Sequence, residues 1–192
     1  MPVPAPPLCF VWLDLEMTGL DPDESAIIEI GVIITGPDLV PKAEVERVIW
    51  QPDEVLARME PVVREMHTRN GLLKRVRESP TSLRVAERDI TALVARHCAL
   101  GEGILCGNSI HTDRRFLAKY MPMLDRYLHY RQVDVTSIKV LASAWFPDMV
   151  PLKKMVSGHT ALADLRASIA ELTHYRTHVF RAATGGEGGS ST

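Results

Sequence analysis

Four acidic residues and one histidine have types and spacing suited to chemistry. Asp14 and Glu16 end the apolar run 10–16. Alternation along a strand puts both on one face, roughly 7 Å apart. Two carboxylates closing a strand apolar enough to lie centrally are costly unless something positive compensates them. A hard divalent cation, which takes oxygen ligands, meets that need. The alternative is that the strand has ended and both acids are solvated. Asp113 follows the apolar segment 104–106 and the turn Gly107, Asn108, Ser109. An acid in a first helical turn is favoured by the macrodipole alone. A position just past the carboxyl end of a strand is also where α/β folds gather their sites. Asp164 lies off the helical stripe of Leu162, Leu165, Ile169, Leu172, Tyr175 and Val179, beside the small residues Ala161, Ala167 and Ser168. His159 precedes it on a loop hinged by Gly158. A lone histidine there ordinarily caps or faces solvent. Beside a metal–carboxylate cluster it can act as a general base, because its pKa lies near operating pH.

These residues need a scaffold. Segments 9–16, 26–35 and 44–51 are rich in Val and Ile and broken by Gly, Pro and Asp, so they read as strands. Segments 104–106 and 132–135 are two shorter strand candidates. Segment 82–97 has helical spacing, and 113–121, 136–144 and 160–180 also read as helices. Three meander-like strands followed by alternating helices and short strands predict an α/β domain with a mixed five-stranded sheet flanked by helices. Prolines across 1–8 indicate a flexible arm, and the Gly-rich 184–192 a flexible tail, leaving 9–183 as the folded domain.

Composition narrows the function. The 192 residues carry 46% hydrophobic and 24% charged side chains, an ordinary globular balance. No apolar stretch is long enough for a membrane span, and the N-terminus has no secretory pattern. Cys9, Cys98 and Cys106 lack metal-type spacing and fit free thiols in a reducing cytoplasm. The formal charge is −2. A protein gripping a long nucleic acid usually has a basic surplus, so a nucleic-acid substrate here should be short.

The ordered set of motifs resembles a known family. Asp14, Leu15 and Glu16 followed by Met17 to Leu20, then Asp113, then His159 and Asp164, are similar to the histidine-bearing branch of the DEDD exonucleases. Gly107 to Ser109, Arg114 to Leu117, Lys119 to Pro122, His129 to Arg131 and Asp134 narrow the resemblance to the oligoribonucleases, over about residues 9 to 180. The resemblance implies a ribonuclease H-like fold and a homodimer. It implies two divalent cations, Mg²⁺ or Mn²⁺, held by Asp14, Glu16, Asp113 and Asp164, with His159 as base. It implies removal of nucleotides from the 3′ end of short RNA oligonucleotides, dinucleotides especially. The same resemblance gives Leu20 as a wedge against a base and Asn108, Ser109, Arg131, Thr136 and His67 as phosphate contacts. Tyr130 would stack on a base, from the other subunit. Ordinary roles rival these: turn formation for Asn108 and Ser109, capping for Thr136, core filling for Leu20. One departure is Val62, where many relatives carry an aromatic that stacks on a base. Lys153 and Lys154 could assist electrostatically or simply be solvated. Two other functions compete: an exonuclease trimming longer RNA or DNA, which predicts a basic tract, and a catalytically silent nucleic-acid-binding module, which predicts loss of a ligand.

Overall fold

The computed structural model describes residues 8–148 and 160–180. Five strands form one mixed sheet in the order β3-β2-β1-β4-β5: β1 (Cys9–Met17), β2 (Ile27–Thr35), β3 (Pro41–Val48), β4 (Gly103–Gly107) and β5 (Gln132–Asp134). The first three pair antiparallel, whereas β4 runs parallel to β1 and β5 parallel to β4. Short helices α1 (Asp53–Leu56), α2 (Pro61–Arg69) and α3 (Leu72–Glu78) follow β3. Then come α4 (Leu83–Ala95), α5 (His111–Tyr120), α6 (Pro122–Tyr127), α7 (Val135–Trp145) and α8 (Ala161–His178).

The strand period divides the core in two. Val11, Leu13 and Leu15 of β1 join Ile30, Val32 and Ile34 of β2 against Ala86, Ile90 and Val94 of α4 and Phe116 and Leu117 of α5. Trp12, Ile33 and Cys106 project to the other face, against Val135 and Ala142 of α7 and Leu165 and Ile169 of α8. Each fully buried aliphatic or aromatic side chain contributes on the order of 1.5–3 kcal/mol to this packing. The indole of Trp12, fully buried, donates to Thr35 Oγ1 at 3.0 Å, so its polar atom is not stranded. Asp14 and Glu16 fall on the α7/α8 face by the same alternation.

Five expected strands and four expected helices are present. The third strand lies three residues earlier than its apolar content indicates. It is an edge strand, which tolerates Pro41 at its first position and alternating charge along its length. The apolar Ile49 and Trp50 belong to the turn out of the sheet. Cysteine usage departs from expectation. Cys9 and Cys98 form a disulfide across 89 residues, with Cα atoms 6.0 Å apart, and Cys106 alone stays a buried thiol. The contact arises because the end of α4 returns to the start of β1, which sequence spacing does not reveal. The expected arm and tail, apart from Leu8, fall outside the described residues. Among the described residues, no helix is long and apolar enough to cross a membrane.

Candidate active site

β1 outruns its parallel neighbour. The β1–β4 ladder covers Cys9 to Trp12 and ends as β4 turns away at Gly107. A Cβ at Gly107 would lie 2.9 Å from the Leu13 carbonyl oxygen, so only glycine permits this close departure. The backbone N–H of Leu15, beyond the ladder, is taken by Asp113 Oδ1 at 3.0 Å. Asp113 sits in the first turn of α5, directly after the β4 exit loop. One missing strand partner thus fixes a carboxylate beside Asp14 and Glu16, at the carboxyl ends of two parallel strands.

The fourth acid arrives from α8. Thr160 caps this helix, its Oγ1 accepting from Ala163 N at 3.4 Å, and Asp164 lies in the first turn. Oxygens of Asp14, Glu16 and Asp164 lie within 4.8 Å of one another. Burial raises the Asp14 carboxyl well above its ordinary value, and Asp113, Glu16, Asp164 and Glu29 raise it further. Burial pushes Glu16 up to about 8, with Glu29, Asp164 and Asp113 adding to it. Burial also pushes Asp113 up to about 7, against the lowering effect of the Leu15 hydrogen bond. An arrangement in which Asp14, Glu16 and Asp113 resist ionisation calls for positive charge. Hard oxygen donors at this mutual distance fit a divalent cation.

The remaining predicted residues gather unevenly. Leu20 is 73% exposed on the loop after β1. That loop is tied down by α5: Lys119 Nζ and Tyr120 Oη both donate to the Pro22 carbonyl, at 2.6 and 2.7 Å. Asn108, Ser109 and Thr136 form one polar cluster. Ser109 N donates to Thr136 Oγ1 at 3.0 Å, and Thr136 Oγ1 donates to Asn108 Oδ1 at 3.2 Å. Asn108 Nδ2 reaches Ser168 Oγ on α8 at 2.8 Å. Ser109 adopts φ +51°, a conformation side chains rarely take, which marks a loop held by its contacts. Tyr130 is 74% exposed, with the Arg131 guanidinium 5.1 Å from its ring centre. Val62 is likewise exposed. His67 of α2 was expected to contact a phosphate. It is fully buried, with Nε2 3.1 Å from the Met17 carbonyl oxygen and 4.0 Å from Glu16 Oε2. His159, Lys153 and Lys154 lie outside the described residues.

Two residues at the site went unread in the sequence. Asp134, noted only as part of a motif, is the N-cap of α7. Its Oδ1 accepts from Thr136 N at 2.9 Å and from Ser109 N at 3.0 Å. The second is Glu29, fully buried in β2. Its signal was available: a single charge inside the otherwise apolar run 27–34.

The chain is similar to known proteins in sequence and in fold. The sequence matches the RNase_T exonuclease family over residues 11–172. It is 45% identical over 185 residues to the oligoribonuclease of Paracidovorax citrulli, covering 93% of this chain and 96% of that protein. It is 46% identical over 172 residues to the oligoribonuclease of Marinobacter nauticus, covering 89% and 96%. In fold it is similar to a zinc-bound E. coli ExoI–ssDNA complex, with a TM-score of 0.72 at 14% identity, over 91% of this chain. Exonuclease I from Methylocaldum szegediense gives a TM-score of 0.66 at 18% identity, over 90% of this chain. The chain spans 41% of the length of each of these two larger proteins, and the likeness concerns the fold. With a ribonuclease H-like sheet, a converging acid cluster and near-full-length relatives, the chain belongs to the oligoribonucleases, within the exonuclease family.

Proposed function

We propose that the protein hydrolyses very short RNA, dinucleotides especially, from the 3′ end to mononucleotides. The observation that carries this reading is the convergence of Asp14, Glu16 and Asp164 within 4.8 Å, with Asp113 bound to the adjoining backbone. Asp14, Glu16, Asp113 and Asp164 would hold two divalent cations, Mg²⁺ or Mn²⁺. When bound, such ions supply Lewis acidity toward the scissile phosphate and its attacking water. His159 takes the proton of that water as general base. The exposed Leu20 side chain separates the two bases. Asn108, Ser109, Thr136 and Arg131 offer hydroxyl, amide and guanidinium donors suited to a terminal phosphate. A phosphate capped at that point leaves room for few nucleotides, and a net charge of −2 gives little grip on a longer backbone.

The working form is a homodimer of domains spanning 9–183. Val140, Leu141, Trp145 and Phe146 expose a run of apolar side chains along and just beyond α7, suited to burial by a second copy. Tyr130 of each subunit would stack on a base in the site of the other. The protein works in the cytoplasm.

The test uses the full chain and a 5′-labelled RNA dinucleotide. Mononucleotide should appear with Mg²⁺ or Mn²⁺, cease in excess chelator and resume when the metal is restored. Undiminished hydrolysis in chelator would overturn the reading.

A further inference from the structure

The run Ile27–Thr35 of β2 contains one charged residue, Glu29, and the proposed chemistry makes no use of it. In the β1–β2 register Glu16 faces Glu29 and Asp14 faces Gly31. Directly opposed residues share a face of the sheet, so Glu29 and Gly31 lie on the surface that presents the two acids. Both meet the same residue of α8. Glu29 Oε2 accepts from Ala161 N at 3.2 Å. A Cβ on Gly31 would fall 2.8 Å from Ala161 Cβ and 3.0 Å from its carbonyl carbon. Ala161 is the first residue of α8, and Asp164 follows in the same turn. The Glu29 carboxylate therefore satisfies an otherwise free helical N–H at the end of the helix that favours negative charge. Its other oxygen, Oε1, is ion-paired with Arg75 Nη1 at 3.0 Å, and Arg75 Nη2 continues to Glu46 Oε2 at 2.8 Å. Oε2 is committed to the helix end and Oε1 makes the Arg75 ion pair without a hydrogen bond, and Glu29 stands outside the group of oxygens formed by Asp14, Glu16 and Asp164.

We infer that Glu29 is a positioning residue that sets the start of α8 against β1, and through it the reach of Asp164 to the cation site. Arg75 holds the Glu29 carboxylate in place, and Gly31 leaves the space in which the helix docks. The assignment rests on the reading of Asp14, Glu16 and Asp164 as metal ligands. Contacts that orient ligands from behind typically change metal affinity by about 10–100-fold when removed.

The experiment measures Mn²⁺ binding to the full chain by calorimetry, alongside the metal-free unfolding midpoint and dinucleotide kinetics. Glu29→Ala removes the contact with Ala161. Glu29→Gln keeps an acceptor for Ala161 N but loses the ion pair with Arg75. Gly31→Ala pushes on Ala161 without altering any charge. Glu29→Ala and Gly31→Ala should each weaken Mn²⁺ binding about tenfold or more, with Glu29→Gln between them and wild type. At limiting Mn²⁺ kcat should fall and recover in excess Mn²⁺, while KM for dinucleotide holds, because Glu29 touches no substrate. Wild-type Mn²⁺ affinity in folded Glu29→Ala and Gly31→Ala proteins overturns the inference. So does a loss confined to Glu29→Ala with Gly31→Ala normal, which assigns the effect to charge. Should Glu29→Ala not fold, the Glu29→Gln and Gly31→Ala pair decides in the same way. Failure of the underlying metal-site reading looks different: Asp14→Ala itself would then leave Mn²⁺ binding unchanged.

Discussion

At the level of single residues, the site is a set of acids that destabilise one another until a cation arrives. Glu16 and Asp113 are raised to about 8 and about 7, and Asp14 is raised too, each mainly by burial. Between their ordinary values and these raised ones, the folded protein binds more protons than the unfolded chain. The stability that these acids contribute to the metal-free protein is therefore fully present below their ordinary values of 3.8 to 4.5 and is lost as pH rises through about 7 to 8. Thermal melts in chelator across that range check this, and Mg²⁺ or Mn²⁺ should raise the melting temperature most at the alkaline end. A metal-free protein that grows more stable toward pH 8 would contradict the burial of these acids. Replacing Asp14, Glu16, Asp113 or Asp164 singly by Ala should nearly abolish hydrolysis while leaving a folded chain. For His159→Ala the expected signature is a large fall in kcat with little change in KM and a flattened acidic limb of the pH–rate profile. Asp14, Glu16 and Asp164 were legible in sequence because each stands out from an apolar or small-residue setting, whereas Asp113, between Thr112 and Arg114, was legible by its place after a strand and a turn. Glu29 stands out equally in its strand, but its meaning depends on where α8 begins, which pattern alone does not tell.

Secondary-structure elements position these residues through their ends. Asp113 and Asp164 each occupy a first helical turn, and Asp134 closes a strand while capping the next helix. Asp134 binds the backbone of both Thr136 and Ser109, so it couples the α7 start to the strained loop at φ +51°. Asp134→Ala should cost about 1 kcal/mol through the lost cap, lowering the melting point by roughly 2–4 °C for a chain of this size. It should also raise KM for dinucleotide, because the Asn108–Ser109–Thr136 cluster loosens. A destabilised protein with unchanged KM would confine Asp134 to capping. Strands β1 and β2 were plain in the sequence since both are buried and rich in β-branched residues. The helices α1, α2 and α3 were not. They are short and lie between prolines and charges, and α2 shows few apolar positions over its nine residues. Their packing on Leu56, Leu72 and Val76 is tertiary, and no local periodicity announces it.

For the whole molecule, the proposed homodimer would have two subunits complete each site. The exposed Val140, Leu141, Trp145 and Phe146 predict that Leu141→Lys with Trp145→Glu shifts the protein from dimer to monomer in light scattering, with activity falling alongside. Mixing Asp14→Ala with Tyr130→Ala protomers tests whether sites are shared. With random pairing half the dimers are mixed, so about a quarter of all sites should recover. No recovery in a mass-verified mixture would keep Tyr130 in its own subunit. The mixed α/β sheet followed from strand and helix succession, and the ribonuclease H-like architecture from the family resemblance. The Cys9–Cys98 contact did not, because it joins segments 89 residues apart. The central claim is that this metal-dependent nuclease is built for the shortest RNA. The most direct measurement is kcat/KM on 5′-labelled RNA from two nucleotides to about ten, the reach of a single small binding groove, with Mg²⁺ present. The account predicts the highest value for the dinucleotide and a steep decline as length increases. A value that climbs steadily with length would contradict it and make this a trimming exonuclease for longer RNA.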